Sequence, residues 1–386
     1  MVTNLTPKTS LNNMKIFIPK ETHSGELRAV MIPADVAKLV KRGATVLVES
    51  GMGIASFHAD TDYEKAGATL ITDRNQALAN ADMVLRLRKP PLAEIATLRK
   101  GCIHISYLDP FADKETCQAL AQQGVSAIAM EMIPRSTRAQ KMDALSSQAS
   151  LAGYVAVLIA AERLDKVLPM MTTPAGTISP SRVFIIGAGV AGLQAIATAK
   201  RLGARVDAFD TRPAVAEQVR SLGAKFFEVD LGETGQTKDG YAKELSTEQL
   251  DLQRRAMAKQ CGLSDIVITT AQVFGRRAPL IITKEMLAQM RPGSVVIDLA
   301  IETGGNVEGA ELGKEIVRDG VRIIGIENLP GRVAVHASQM YSSNVCALIE
   351  EFWDKETQSF QLNLSDEIIE RSLATHNGII VNAMLK

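Results

Sequence analysis

Cysteine is scarce in this 386-residue sequence, and neither sign of charge is in excess. The four cysteines lie far apart and form no CxxC pair: Cys102, Cys117, Cys261 and Cys346. This spacing argues against a zinc site, a redox dithiol and a disulfide framework, so no metal is expected and a reducing cytosol suits the chain. Lys plus Arg and Asp plus Glu both number 43. Because no basic block occurs, neither nucleic acid nor an anionic membrane surface is an expected partner.

Long hydrophobic runs are also missing from the pattern. We find no apolar run that approaches the roughly 18 to 20 residues needed to cross a bilayer. The opening MVTNLTPKTSLNNMK lacks the hydrophobic segment of a signal peptide, and the polar residues 1–13 are predicted to be frayed. The sequence therefore predicts a chain that is soluble by itself and has no direct transmembrane segment.

Short apolar segments alternate with helical stretches in two series. The first runs through MKIFI, ATVLVE, ATLI, DMVLRL, CIHISY and VSAIAM. The second starts at Val183 and continues through ARVDAF, AKFFEV, DIVITT, SVVIDL and VRIIGI. Such alternation is typical of parallel α/β sheets, and the six strands of the second series suit a Rossmann domain. The predicted fold class is α/β, with two Rossmann-like doubly wound parallel-sheet domains and a cofactor cleft between them.

Two apolar helices set the predicted domain boundaries, one over residues 144–164 and one over residues 337–353. The first joins the two domains, and the second returns the chain to the first domain. The sequence predicts an N-terminal α/β domain over residues 1–147 that is completed by the C-terminal segment 328–386. Residues 148–327 are predicted to form the NAD-binding Rossmann domain.

The stretch VFIIGAGVAGLQAIATAKRLGARVDAFDTR, residues 183–212, carries a strand, a glycine-rich turn, a helix and a second strand. Gly187 permits the tight turn, Gly189 lets the backbone approach a pyrophosphate, and Gly192 lets the helix pack closely on the strand. The phosphates of a dinucleotide then lie at the N-terminus of the helix. This context predicts dinucleotide binding, which a GxGxxG pattern alone would not establish.

An acidic residue follows at the spacing that distinguishes the two nicotinamide dinucleotides. Asp210 lies 23 positions after Gly187, at the end of the second strand, where a carboxylate accepts hydrogen bonds from the adenosine ribose. This favours NAD over NADP. Arg212 leaves NADP open, since an arginine just past the acid can receive a 2′-phosphate.

Two further stretches, IPKETHSGELRAVMIP and VLVESGMGIASFHADTDYEKAGA, resemble the family of alanine dehydrogenase and the NAD(H)-binding component of proton-translocating NAD(P) transhydrogenase. The similarity covers nearly the whole chain. In alanine dehydrogenases, segments similar to ADMVLRLRKP and CIHISYLDP carry a pyruvate-binding Lys and a catalytic His. Arg88 and Asp109 stand at these positions here, and His104 is predicted to be a packed imidazole of its strand. The resemblance therefore disfavours substrate oxidation.

The segment PRSTRAQKMDALSSQASLAGY, residues 134–154, resembles a loop of the transhydrogenases that holds the nicotinamide end of the cofactor. The resemblance implies this role for Arg135, Arg138, Gln140, Asp143 and Ser146, with Gln140, Arg135 and Asp143 as the catalytic set. Spacing alone fits a helix N-cap with a surface ion pair equally well. TKDGYAKE, residues 237–244, overlaps a polar insertion at residues 232–240 that is predicted to be mobile, and it resembles the loop that closes over bound cofactor, although a plain surface loop remains open. The further contacts that the family implies are Val190, Thr211, Arg212, Gly240, Tyr241, Gln253 and Gln272.

The resemblance implies a function in which hydride passes directly between NAD(H) on this chain and NADP(H) on a partner component. The implied partners are NADP-binding and membrane-embedded transhydrogenase subunits and a second copy in a homodimer. Because the chain ends at VNAMLK without an apolar span, the membrane subunits are expected to be separate chains. The implied location is the cytoplasm, peripheral to the inner membrane. The alternatives are a soluble amino-acid dehydrogenase of the alanine type and a noncatalytic NADH-sensing module.

Overall fold

The computed structural model describes residues 13–229 and 246–386, and the chain divides into two compact units. Unit 1 comprises Met1–Ser147 and Ala334–Lys386, and unit 2 comprises Gln148–Val333. Residues 1–12 of the opening segment and the polar insertion at 232–240, for which fraying and mobility are predicted, lie outside the described residues.

Unit 1 is built on an eight-stranded sheet. Six parallel strands form its body, in the spatial order Ser126–Ala129, Ile103–Ser106, Met83–Leu85, Lys15–Ile18, Thr45–Glu49 and Thr69–Ile71. Two strands from the C-terminal segment extend the sheet: Leu373–His376 pairs antiparallel with Ser126–Ala129, and Ile379–Ile380 pairs antiparallel with Leu373–His376. The central strands are apolar and buried along nearly their whole length, as expected for a sheet covered on both faces.

The described part of unit 1 contains these helices along with its sheet: Pro33–Lys41, Asp60–Lys65, Arg74–Asn80, Leu92–Ile95, Lys114–Gln122, Ala334–Glu351 and Glu367–Ser372. Local sequence explains where several begin. The carboxylates of Asp73 and Asp113 each accept a hydrogen bond from the backbone N–H three residues later, at 2.9 and 3.0 Å. Such N-caps satisfy a backbone donor that the first helical turn leaves unpaired.

Unit 2 is built on a seven-stranded sheet. Its spatial order is Lys225–Phe226, Arg205–Phe209, Arg182–Ile186, Ile266–Thr269, Val295–Asp298, Val321–Ile324 and Glu315–Arg318. The first six strands are parallel and follow the doubly wound order predicted from the sequence. The predicted α/β class with two mostly parallel, Rossmann-like sheets is therefore confirmed. The seventh strand is an antiparallel edge strand that the apolar pattern of the sequence does not predict.

Besides most of the helix Ala144–Arg163, four helices accompany the sheet in the described part of unit 2: Val190–Arg201, Ala216–Ser221, Thr247–Leu263 and Lys284–Leu287. Two short antiparallel strand pairs are also present among the described residues. Met171–Thr173 pairs with Gly176–Ile178 in unit 2, and Trp353–Asp354 pairs with Ser359–Phe360 in unit 1. One apolar cluster of unit 2 contains Val183 and Ile185 of the strand Arg182–Ile186, and it also contains Ala195, Ile196 and Ala199 of the helix that follows.

The 20-residue helix Ala144–Arg163 corrects the expectation that no apolar run approaches the length needed to cross a bilayer. Its apolar 18-residue window has a mean hydropathy of 1.5 and is 39% buried, so by length and composition the helix is long enough to cross a membrane. It is the one such helix in the described part of the chain, and a core helix has the same composition. Serines and Gly153 interrupt the apolar pattern in the sequence and conceal the run. Gly153 has a packing role, because a Cβ there would lie 2.1 Å from the Ala191 carbonyl oxygen.

Candidate dinucleotide-binding site

The glycine-rich turn of unit 2 is held by contacts that only glycine permits at two of its positions. Gly187 has φ +97° and donates its N–H to the carbonyl oxygen of Phe209 at 2.8 Å. A Cβ on Gly192 would lie 1.8 Å from the carbonyl oxygen of Gly187. The first helical turn therefore packs directly on the strand end, as the sequence predicts for these glycines.

The second glycine of the motif lies in a different environment. Gly189 precedes the helix Val190–Arg201 with φ −78° and ψ −167°, an extended conformation that any residue adopts. A Cβ there would meet no described atom within 4 Å, and Val190 is 43% exposed. The fold itself does not require glycine at this position. The open space over the helix N-terminus fits a pyrophosphate, whose charge the helix dipole and backbone N–H groups stabilise.

The predicted ribose-binding acid lies beside this turn and is already paired. The Asp210 carboxylate accepts from the Ala188 N–H at 2.8 Å and from the Arg212 backbone N–H at 2.8 Å. The Arg212 guanidinium donates to both carboxylate oxygens, Nε at 2.9 Å and Nη2 at 2.8 Å. The side chains of Asp210 and Arg212 are 7% and 16% exposed. Thr211 between them is half-buried.

The loop that precedes the helix Ala144–Arg163 belongs to unit 1 and is organised around Asp143. Its carboxylate accepts from the backbone N–H of Ser146 at 2.9 Å and from the Ser146 hydroxyl at 2.6 Å. Arg135 Nε lies 4.0 Å from the second carboxylate oxygen of Asp143. The helix cap and the ion pair that the spacing allows are thus both present. They also bring together Arg135, Asp143 and Ser146, three of the five residues that the family resemblance implies.

The same loop is fastened to the helix Ala334–Glu351. Asn344 donates its amide N–H to the Lys141 carbonyl oxygen at 2.8 Å and accepts from the Ser147 hydroxyl at 2.7 Å. Arg138 pairs with Glu351 at 2.8 Å and with Asp366 at 2.5 Å, so its guanidinium serves the loop's attachment in this structure. Gln140 is exposed on the 3₁₀ turn Gln140–Met142. The loop therefore presents Gln140 from a fixed backbone.

The remaining predicted contacts are more dispersed. Gln272 lies near the carboxyl end of the strand Ile266–Thr269, is exposed, and donates to the Leu299 carbonyl oxygen at 3.4 Å. Gln253 lies on the helix Thr247–Leu263 and is 8% exposed; its Oε1 is buried and has no hydrogen-bond partner among the described residues. Gly240 and Tyr241 lie outside those residues.

Arg88 and Asp109 occupy the positions where the family resemblance marks a dehydrogenase. Arg88 Nε pairs with Glu26 at 2.9 Å, and the side chain of Glu26 is 1% exposed. Asp109 is exposed, with φ +52°, and partial burial of its carboxyl raises its pKa. His104 is buried, and its Nε2 shares a hydrogen bond with Ser106 Oγ. Burial lowers the pKa of this imidazole to about 3. The prediction of a packed imidazole agrees with this environment.

Sequence reasoning missed Glu131, which lies directly beneath Asp109. Its Oε1 accepts from the backbone N–H groups of Leu108 and Asp109 at 2.8 and 2.5 Å. The residue is half-buried, but Oε2 is enclosed without a partner in the described part of the chain. Burial raises the pKa of the Glu131 carboxyl to about 7, against the opposing effect of the backbone donors. A glutamate after an apolar strand gives no sequence signal of such burial.

Comparison with known families settles the relationship that these features suggest. The profile described as "Alanine dehydrogenase/PNT, N-terminal domain" matches residues 17–152, and "Alanine dehydrogenase/PNT, C-terminal domain" matches residues 156–383. The chain belongs to the alanine dehydrogenase/PNT family. The family predicted from the sequence motifs is thereby confirmed.

Individual relatives divide between the two branches of the alanine dehydrogenase/PNT family. The chain is 44% identical over 379 residues to the first part of NAD(P) transhydrogenase subunit alpha of Rhodospirillum rubrum, covering 96% of this chain and 99% of the relative. It is 32% identical over 328 residues to alanine dehydrogenase of Bacillus subtilis, covering 83% and 80%. A solved transhydrogenase from Sinorhizobium meliloti superposes with a TM-score of 0.85 at 46% identity, covering 95% and 100%. The enzyme class predicted from the sequence is the one named in the first and third of these proteins.

Proposed function

We propose that this chain is the NAD(H)-binding component of a proton-translocating NAD(P) transhydrogenase. The observation that carries the proposal is the 44% identity to a transhydrogenase subunit over 96% of the chain. The open cradle at Gly189 is the feature of the structure that fits the cofactor.

The phosphate turn would hold the adenosine half of NAD(H). Gly187, Gly189, Val190 and Gly192 would surround the pyrophosphate, and Asp210, Thr211 and Arg212 would meet the ribose. Gln253, Gln272, Gly240 and Tyr241 are proposed as further contacts. The buried Oε1 of Gln253 has no hydrogen-bond partner among the described residues, which supports its inclusion, since a buried acceptor without a partner is costly.

The loop around Asp143 would hold the nicotinamide end, through Arg135, Arg138, Gln140, Asp143 and Ser146. When bound, NAD(H) supplies a hydride donor or acceptor at its nicotinamide ring. Hydride exchange between two nicotinamides moves no proton at the reacting carbons, so the chain's residues need only position the ring and exclude water. The helix cap formed by the Asp143 carboxylate and the fastening of the loop support this role, because both fix the backbone that presents Gln140.

The partners in this proposal are an NADP(H)-binding component and membrane-embedded subunits that couple the reaction to proton translocation. The chain would form a homodimer and associate with the inner membrane from the cytoplasm through these subunits. The Rhodospirillum rubrum relative is named as the first part of an alpha subunit, which supports the existence of further parts.

The test is to mix the purified chain with an NADP-binding partner component and follow reduction of an NAD analogue by NADPH. We expect turnover that requires both proteins. The absence of turnover in the mixture contradicts the proposal. If the chain nevertheless binds NADH, that result supports the NADH-sensing alternative.

One observation favours the alternative of an alanine-type dehydrogenase, namely the raised pKa of Glu131 at about 7. A carboxyl with such a pKa suits acid–base work near neutral pH, but its free oxygen is enclosed. Arg88 and Asp109 offer no replacement for the family's Lys and His. We therefore expect no NADH production from alanine, lactate or malate, and steady production from any of them favours the dehydrogenase.

A further inference from the structure

The Asp210 carboxylate has no acceptor capacity to spare. A carboxylate offers about four lone-pair directions, and four N–H donors already lie at 2.8 to 2.9 Å from its oxygens. Two of these donors are backbone groups, from Ala188 and Arg212. The other two belong to the Arg212 guanidinium. A ribose that donates two hydroxyl hydrogen bonds finds each direction taken.

The two kinds of donor differ in how readily they can leave. The backbone N–H groups are part of the phosphate turn and the segment after the strand, so they orient the carboxylate permanently. The guanidinium stands at the end of a flexible side chain and approaches side-on, with Nε on one oxygen and Nη2 on the other. This places two donors side by side, as a vicinal diol does.

We propose that Arg212 occupies the ribose-recognition position on Asp210, so that binding of the adenosine ribose diol exchanges the guanidinium for two hydroxyl groups. Arg212 is then an internal competitor that lowers the affinity for NAD(H). This inference rests on the NAD(H) site proposed above and assigns to Arg212 a role in affinity and selectivity rather than a simple contact.

The same pair sets the discrimination against a 2′-phosphate. Asp210 alone repels a dianionic phosphate, which is the usual basis of NAD preference. Arg212 neutralises that carboxylate, and once displaced it remains close to the ribose, where a guanidinium attracts phosphate. Removing the guanidinium therefore changes the two affinities in opposite directions. A residue that only stabilises the turn would change both in the same direction.

The experiment measures NADH and NADPH binding to the purified full chain by calorimetry, without any partner protein. Arg212→Gln removes the charge, and Arg212→Lys keeps the charge but loses the fork. Arg220→Gln is the matched control, since Arg220 forms an exposed ion pair with Glu228 in the same unit. For Arg212→Gln we expect NADH to bind about three- to tenfold more tightly, as the competing population disappears, and NADPH to bind more weakly. We expect the affinities of Arg212→Lys to lie between those of wild type and Arg212→Gln, and those of the Arg220→Gln control to match wild type.

Unchanged or weaker NADH binding by Arg212→Gln overturns the proposal, because Arg212 then supports the cofactor instead of competing with it. If circular dichroism shows that the glutamine variant does not fold, the lysine variant provides the test. Tighter NADH binding by Arg212→Lys then supports the proposal, and unchanged or weaker NADH binding overturns it. A 2′-deoxyadenosine analogue of NADH provides the second arm, since it lacks one of the two exchanging hydroxyls. The increase in affinity caused by Arg212→Gln must be smaller for this analogue than for NADH. An equal increase also overturns the proposed exchange of the guanidinium for the two hydroxyl groups. Absence of NADH binding to wild type contradicts the cofactor site itself.

Discussion

Gly189 and Gly192 lie three residues apart in the phosphate turn, and alanine at each has a different expected effect. At Gly189 the backbone is extended and a Cβ meets no described atom within 4 Å. We expect Gly189→Ala to leave the free energy of unfolding within about 0.5 kcal/mol of wild type or to raise it slightly, because alanine restricts the unfolded chain. The added methyl instead fills the space proposed for the pyrophosphate. A steric conflict of about 1 to 3 kcal/mol corresponds to roughly 5- to 150-fold weaker NADH binding.

At Gly192 the Cβ would lie 1.8 Å from the Gly187 carbonyl oxygen, 1.6 Å closer than the 3.4 Å at which ordinary contact begins. The helix or the turn must move to relieve this overlap. We expect Gly192→Ala to lose about 1 to 3 kcal/mol of stability or more and to lose NADH binding with it. The two variants thus separate a residue required by the fold from a residue required by the ligand.

The assay pairs urea unfolding with calorimetric titration of NADH for both variants. Arg201→Ala, an exposed change in the last turn of the same helix, is the control for effects on the helix itself. Wild-type NADH affinity in Gly189→Ala refutes the placement of the pyrophosphate over this turn. A large loss of stability in Gly189→Ala refutes the reasoning from open space.

Two further predictions concern unit 1. Gln140→Asn shortens the side chain by one methylene, so we expect NADH affinity to fall by about 1 kcal/mol or less, while single-turnover hydride transfer with the partner falls on the order of a hundredfold, as a misplacement of about 1 Å predicts. A rate that falls only in proportion to binding indicates that Gln140 is an ordinary helix-entry residue. Glu131 has a folded-state pKa of about 7, above its usual 4.5, so its contribution to stability is fully present below about pH 4.5 and is lost as pH rises through 7. Unfolding measured between pH 4.5 and 9 should therefore show Glu131→Gln gaining up to about 3 kcal/mol over wild type as pH rises, and a pH-independent difference contradicts the raised pKa.

The strands and the phosphate turn could be predicted because both depend on local pattern. The apolar segments from MKIFI to VRIIGI all form strands, since buried parallel strands require continuous apolar runs. The roles of Gly187 and Gly192 follow from the absence of a Cβ, which the sequence states directly. The edge strand Glu315–Arg318 was missed because half of its residues are polar and none is fully buried.

The pairings between side chains could not be predicted, because they depend on contacts between distant positions or on the choice of rotamer. Arg138 pairs with Glu351 and Asp366, which lie 213 and 228 positions away in the sequence. Arg212 and Asp210 are near neighbours, but nothing in the sequence states that the guanidinium folds back onto the carboxylate. The loop that resembles the transhydrogenases could be located through its motif, whereas the fastening of that loop by Asn344 required the fold.

The central claim is direct hydride transfer between NAD(H) on this chain and NADP(H) on a partner. The most direct measurement is a single turnover of the mixed proteins with NADPH deuterated at the transferring position of nicotinamide C4 and an NAD analogue as acceptor. Mass spectrometry then locates the deuterium. The account predicts that the label is recovered in the reduced analogue without dilution by solvent protons, and only when both proteins are present. Loss of the label to water, or transfer that does not need this chain, contradicts the account.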